Sequence, residues 1–310
     1  MSTLSVTNLK NAASATNNIV LATDGSVSIS GNNYSPQTGF RNRIINGAMT
    51  IDQRNAGASV TPASNAYTLD RWYANVSTAS KYSVQQSTVA PDGFVNSALI
   101  TSTSAYTVAS SDYQTFQQRI EAFNMSDMGW GTASAQAVTV SFWVRSSLTG
   151  TFGGSLYFPA TTARTYPFSY SITSANTWEQ KFVTIAGDTF SNTAPTGNSL
   201  YVIVQFALGV GSTFSGTAGS WVSGNFASVT GATNLIATNG ATLYITGVQL
   251  EKGSTATPFE FRSYGTELGL CQRYAIGFPF GSVSAQPTIA VGGSGLYFDA
   301  NIVSCSMNGS

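Results

Sequence analysis

The 310-residue chain has no histidine, two cysteines and 13 acidic residues, and these counts bound its chemistry. Without histidine there is no Ser-His-Asp or Cys-His nucleophile and no imidazole ligand for zinc. Cys271 and Cys305 stand far apart in sequence and are too few for a tetrathiolate site. Free thiols, as in a protein made in a reducing cytoplasm, are expected of them. The stretch GVGSTFSG at 209–216 is glycine-rich, but no Gly-Lys-Ser/Thr follows, so it reads as a loop and not a phosphate cradle. Paired carboxylates remain. A glycosidase sets two acids about 5–10 Å apart across a sugar. The acids Asp112, Glu121, Asp127, Glu179, Glu251, Glu260 and Glu267 show no spacing that singles out such a pair. A role without turnover is therefore expected. No Asp-dense loop offers the roughly six to eight oxygens that calcium takes, so no cofactor is expected, with a structural calcium left open.

What remains is binding chemistry. An aromatic ring covers the apolar face of a pyranose while amides and charged groups bond its hydroxyls. Side chains of this kind lie on segments whose alternation reads as strand. Val138, Val140, Phe142 and Val144 face one way, and Trp143 and Arg145 the other. Val202, Val204, Phe206 and Leu208 oppose Tyr201 and Gln205. In the last such segment strict alternation groups Tyr244, Thr246, Val248 and Leu250 against Gln249 and Glu251. Trp143, Arg145, Tyr201, Gln205, Gln249 and Glu251 are thus the candidates for a glycan-facing groove or a subunit interface. The plainer alternative for each is packing. For Arg145 and Glu251 it is a partly buried ion pair that fixes strand register.

The elements that must carry these residues are β-strands. Apolar and polar residues alternate in short runs punctuated by Gly, Asn, Ser and Thr, the pattern of an all-β sandwich or barrel. Residues 1–40 form a separate small element. Asp24-Gly25 there sits between two β-like runs and suits a tight hairpin turn. A lone hairpin buries little, so this segment needs a partner surface and is expected to attach the protein to something. Residues 41–263 are expected to form one jelly-roll sandwich, with a helical turn only near IEAFNMSDMGW. Residues 264–310 open with YGTELGLCQRY, a short helix, and are too few for a core of their own.

Only 8% of residues are charged, against about 25% in ordinary soluble proteins. Net charge is zero, so no global field draws nucleic acid. No apolar run reaches membrane-spanning length. The start, Met1-Ser-Thr-Leu-Ser, lacks the basic opening and apolar core of a secretory signal, and synthesis in a cytoplasm is expected. So neutral and hydroxyl-rich a surface suits a protein that lives in an assembly. Between Thr189 and Leu250 there is no charged residue at all, after which TGVQLEKGSTATPFEFRS, Thr246 to Ser263, concentrates them. Pro258 breaks the ladder. Phe259 and Phe261 alternate with Glu260 and Arg262, marking a boundary where the chain leaves the sandwich and interlocks with a neighbour.

Several phrases occur together and in order: NRIINGAM (42–49), LDRW (69–72), QRIE (118–121), SFWVRSS (141–147), WEQ (178–180), QLEKGSTATPFEFRS (249–263) and LCQRY (270–274). With the opening MSTLSVTNLKNAASATNNIVLATDGSVSIS, this set resembles tail-fibre and fibre-like structural proteins of tailed bacteriophages. The middle part is similar to the jelly rolls of carbohydrate-binding modules. The resemblance implies a non-enzymatic homotrimer in the virion. Its amino-terminal segment, around Asp24 and Gly25, would dock to tail adaptor or nozzle proteins, and its distal part would meet a host cell-surface glycan. A capsid-decorating fibre or cement protein, a carbohydrate-binding module and a polysaccharide depolymerase are the alternatives.

Overall fold

The computed structural model describes residues 40–276, together with four short strands before them. Those four are β1 (Asn8–Leu9), β2 (Ile19–Leu21), β3 (Val27–Ile29) and β4 (Asn32–Tyr34), paired in sequence order. Strands β2 and β3 run antiparallel, with Ile19 opposite Ile29 and Leu21 opposite Val27. Asp24 and Gly25 lie outside the described residues, as does Cys305. By contacts the chain divides into residues 1–277 and 278–310.

The body is a two-sheet antiparallel sandwich. Its strands begin with β5 (Ala66–Leu69), β6 (Trp72–Val76), β7 (Tyr82–Ser87), β8 (Ser97–Ser102) and β9 (Tyr113–Glu121). They continue with β10 (Val138–Ser146), β11 (Gly150–Phe158), β12 (Arg164–Ile172), β13 (Glu179–Ile185) and β14 (Leu200–Val210). Three short pieces, β15 (Ser215–Gly216), β16 (Val222–Ser223) and β17 (Ser228–Val229), precede the last strand, β18 (Thr242–Lys252). One sheet has the order β13-β10-β18-β8-β7, the other β16-β12-β11-β14-β9-β6-β5. The chain crosses repeatedly from one sheet to the other, which makes the sandwich jelly-roll-like.

Alternation decides the core. Trp72 and Ala74 of β6, Phe116 of β9, Phe142 and Val144 of β10, and Val204 and Phe206 of β14 are all fully buried. Phe142 meets Phe206 across the sheets edge-on at 5.0 Å, and Trp72 stacks on Phe116 at 4.8 Å. Such ring pairs add to the burial they already represent.

Two irregularities overturn strict alternation. On β18 the register against β10 slips between Ser141 and Trp143, where Gly247 takes a φ of 60°. One extra residue there is a bulge, and a bulge inverts the facing of everything beyond it. Leu243 and Ile245 before it, and Val248 and Leu250 after it, therefore all point into the core. Tyr244 is not on the apolar face with Val248 and Leu250. It lies opposite Arg145 on the outer face. A second slip on β14 between Leu200 and Val202 turns Tyr201 inward, where it packs on Phe158 and Trp130.

The start and the end of the described body are tied together. Strand β8 pairs with β18 only as far as Ile245, and the segment 43–47 takes its place beyond. Arg43 N donates to Leu250 O (2.8 Å) and Val248 N to Gly47 O (3.0 Å). The helix α1 (Tyr264–Gln272) then packs back on this segment, burying Cys271 against Ile45 and Ile51. Burial, with Asp70 and Glu267 nearby, pushes the Cys271 thiol up to about 12, so it is an inert core residue. The IEAFNMSDMGW stretch makes two one-turn 3-10 helices at Ala122–Asn124 and Ser126–Met128. No described helix is long and apolar enough to cross a membrane.

Candidate functional site

The six side chains singled out by alternation do not form one site. Trp143, Arg145, Gln249 and Glu251 share the outer face of the five-stranded sheet, while Tyr201 and Gln205 belong to the other sheet. Arg145 and Glu251 do not pair. Arg145 Nε donates to Asn176 O (2.8 Å) and its guanidinium lies 5.0 Å from the Tyr244 ring. Glu251 sits opposite Thr139 instead, several residues along the ladder, and is fully buried. It accepts from Thr257 N (2.8 Å) and the Thr257 hydroxyl (2.6 Å), with Arg41 Nε at 3.5 Å. Gln249 is buried beside it, taking a bond from Glu260 N (2.9 Å). Residues 257–260 thus lie over that half of the face, and Gln249 and Glu251 hold the tail down.

Pro258, Phe259, Glu260 and Arg262 meet the start of the body. The Glu260 carboxylate accepts from Arg41 N (3.0 Å) and Asn42 N (2.9 Å). Arg262 reaches Asn42 O, Ile44 O (3.1 Å), Glu260 (3.2 Å) and Glu267 (3.2 Å). Pro258 O accepts from Arg41 (3.0 Å). Beside this clasp a cleft of about 180 Å³ is lined by Phe94, Val95, Phe259 and Phe261.

On the seven-stranded sheet Tyr201 is buried, its hydroxyl accepting from Trp130 N (3.2 Å). Gln205 is buried too, donating to Ser155 Oγ (2.8 Å). It is covered by the segment after β14, whose Phe226 O also accepts from Ser155 Oγ (2.8 Å). That segment is fixed at its β16 end by Arg164, which bonds Asp188 through both Nε (3.0 Å) and Nη2 (3.1 Å) and reaches Ser223 Oγ (3.1 Å).

On the rest of the same outer face Tyr67, Tyr73, Arg119 and Tyr157 are half-buried, while Gln117 and Ile203 between them are buried. Alternation had not pointed to this stretch. Tyr67 of β5 lies opposite Tyr73 of β6, which lies opposite Gln117 of β9. The tyrosine rings meet edge-on at 5.0 Å. Arg119 lies over Tyr73 at 4.0 Å, and Arg54, from the loop before β5, is 5.1 Å from the Tyr67 ring. With its amide turned so that oxygen faces Arg119 and nitrogen faces Gln205, Gln117 would accept from Arg119 Nε (3.2 Å) and donate to Gln205 Oε1 (3.1 Å). Ile203 of β14 and Tyr157 of β11 continue the face from Arg119. From Tyr67 to Tyr157 four strand spacings give about 19 Å. The signal was present in AYTLDRWYANV, where Tyr67 and Tyr73 flank a turn, but nothing local says which outward ring stays only half-buried.

The acids available for hydrolysis are engaged elsewhere. Asp112 accepts from the Tyr106 hydroxyl (2.7 Å) and Ala109 N (2.8 Å). Burial alone would raise Glu179, but Lys181 and the Ser174 and Thr173 donors outweigh it and hold its carboxyl at about 2. Glu121 is paired with Arg273 (2.6 Å). Among the described residues no three Cys, Asp or Glu side chains converge as metal ligands would.

No family model matches the chain, and no curated protein matches it. Among solved structures it is similar to the enzymatically active domain of tailspike protein 4 from bacteriophage CBA120, with TM-score 0.37 and 13% identity, over 69% of this chain and 22% of that one. A putative sugar-binding protein from Bacteroides thetaiotaomicron gives TM-score 0.41 and 14% identity, over 68% of this chain and all of that one. A family 11 carbohydrate-binding module from Clostridium thermocellum, in complex with a mixed-linked tetrasaccharide, gives 0.33 and 11%, over 61% and 93%. The chain spans about a fifth of the tailspike's length. All three scores are low.

Proposed function

We propose that the chain is a structural fibre protein of a bacteriophage virion whose sandwich binds glycan on the host surface without cleaving it. The observation that carries the binding role is the half-buried pair Tyr67 and Tyr73, with Arg119 over Tyr73 and Arg54 beside Tyr67. The rings offer stacking area, and the guanidinium groups offer directed donors. The neighbouring part of the same sheet is closed by its own loop, whereas among the described residues Tyr67, Tyr73 and Arg119 stay half-buried. The ordered set of phrases from NRIINGAM to LCQRY supports the virion setting. In that setting residues 1–40 dock to the tail, and several weak sites per particle act together through avidity. Glycan-array binding of the purified protein tests the role. Changing Tyr67 and Tyr73 together to alanine is expected to lower affinity roughly tenfold or more, from lost ring contacts. Unchanged binding would remove this face from consideration.

The homotrimer has its own support on the other sheet. Phe182, Val95 and Phe261 are 55%, 71% and 62% exposed. Phe94 joins Phe259 and Phe261 at 5.2 Å each, and Trp178 meets Tyr244 at 6.1 Å on the same outer side. Two rings and a valine left exposed on this side are apolar area that a subunit would cover in the assembly. Light scattering is expected to give a trimer at micromolar concentration, and a stable monomer would sink that reading.

A further inference from the structure

The face of Tyr67 and Tyr73 carries more positive charge than its sheet needs. Among the described residues neither Arg54 nor Arg119 has a carboxylate within ion-pair distance, whereas most other arginines of the body do. Arg119 is held in place from below. The Tyr73 ring supports its plane, and the Gln117 amide, turned with its oxygen toward Arg119, lies 3.2 Å from both Nε and Nη2. That leaves the outer edge of the guanidinium, Nη1 and the second Nη2 proton, for a ligand. Arg71 adds charge beneath the same strand end, donating to Arg119 O while its guanidinium stacks on Tyr274 at 3.5 Å. The one acid that β9 presents on this side, Glu121, is already neutralised by Arg273. In a chain of zero net charge, this is a local excess of cation on an aromatic floor.

Arginine laid on tyrosine is often only a lid that shields the ring. A lid, however, does not need its donors aligned by a buried amide beneath it. A neutral glycan would be served by amides and hydroxyls, of which this chain has plenty, and gains nothing from two unpaired guanidinium groups. A guanidinium fork matches a planar carboxylate with two parallel hydrogen bonds.

We infer that the ligand of this face is an acidic polysaccharide whose sugar ring packs against Tyr67 while a uronate carboxylate bonds Arg119 where it lies on Tyr73, with Arg54 contributing charge from the rim. The inference rests on the glycan-binding role proposed above and specifies its chemistry. The test uses the full chain and three sets of polymers. One set is polygalacturonate, alginate and hyaluronan, the next their methyl-esterified forms, and the last neutral galactan, xylan and mixed-linked glucan, with dextran sulfate as a sulfate control. Binding to at least one uronate polymer is expected, lost on esterification and weakened as salt rises. Arg119→Gln should cost tenfold or more on that polymer, and Arg119→Lys should restore only part of it. Circular dichroism on each variant checks folding. Binding confined to neutral polymers, or to dextran sulfate, would overturn the acidic assignment and leave glycan binding intact. An unchanged affinity in a folded Arg119→Gln variant would also overturn it. Binding to no polymer at all would overturn both this inference and the role it rests on.

Discussion

Arg262→Met is expected to destabilise the body by about 3–5 kcal/mol, the cost of removing one partner from a buried ionic network. The side chain is only 5% exposed and serves two carboxylates and two carbonyls at once. Methionine preserves its apolar stem and removes every donor. Glu267 is then left buried with its oxygen facing Asn46 N alone, and Asn42 O and Ile44 O lose their partner. At roughly 2–4 °C per kcal/mol for a body of this size, the melting temperature should fall by about 10 °C. Differential scanning calorimetry reads the change. Adding Glu260→Gln and Glu267→Gln to Arg262→Met should recover part of the loss, because the uncompensated charges go with the arginine. If the single variant melts within a degree or two of the parent, the clasp is not what joins 257–274 to the start of the body.

Gly47→Ala is the second large effect, and it reaches the same junction from the opposite strand. A Cβ on Gly47 would fall far inside the radius of Val248 O, a backbone atom that cannot swing away. The same stretch bonds Val248 N to Gly47 O and Asn42 Nδ2 to Val248 O (3.1 Å). One methyl group therefore has to lift segment 43–47 off β18 and break ladder bonds that no water replaces. A cost near the top of the overpacking range, about 3 kcal/mol, is expected. Hydrogen exchange should show the effect locally, with faster exchange at Arg43, Val248 and Leu250 than in β9 or β14. Uniform acceleration across both sheets, or none, would contradict this account. Gly265 of α1, where an added Cβ meets nothing within 4 Å on a helical backbone, is the contrasting site.

Both variants probe phrases on which the resemblance to fibre proteins was based. NRIINGAM supplies Asn42, Ile44 and Gly47, PFEFRS supplies Glu260 and Arg262, and LCQRY supplies the buried Cys271 and the Tyr274 ring over Arg71. The phrases are far apart in sequence and adjacent in space. Their co-occurrence has a physical basis: each is one side of a single junction. Their charge, placed after a long uncharged stretch, closes the body on itself.

By itself the sequence determined whatever depends on neighbours along the chain. Alternation placed Val138, Val140, Phe142 and Val144 in the core, and likewise Val202, Val204, Phe206 and Leu208. The missing histidines excluded whole classes of chemistry, and YGTELGLCQ read as the helix it forms. Tertiary structure alone decided two other things. The first was facing beyond a bulge. Gly247 inverts β18, and an added Cβ there would come within 2.7 Å of Phe94, a residue from a loop distant in sequence. The second was which outward side chains remain open. Gln205 is closed by the Phe226 segment, Gln249 and Glu251 by residues 257–260, while Tyr67 and Tyr73 stay half-buried under the Arg54 and Arg119 side chains alone. Period-two alternation sorts a strand into two faces because sterics act locally. Whether the second face meets water, a loop or a ligand depends on chain that returns from far away, and no local pattern encodes that return.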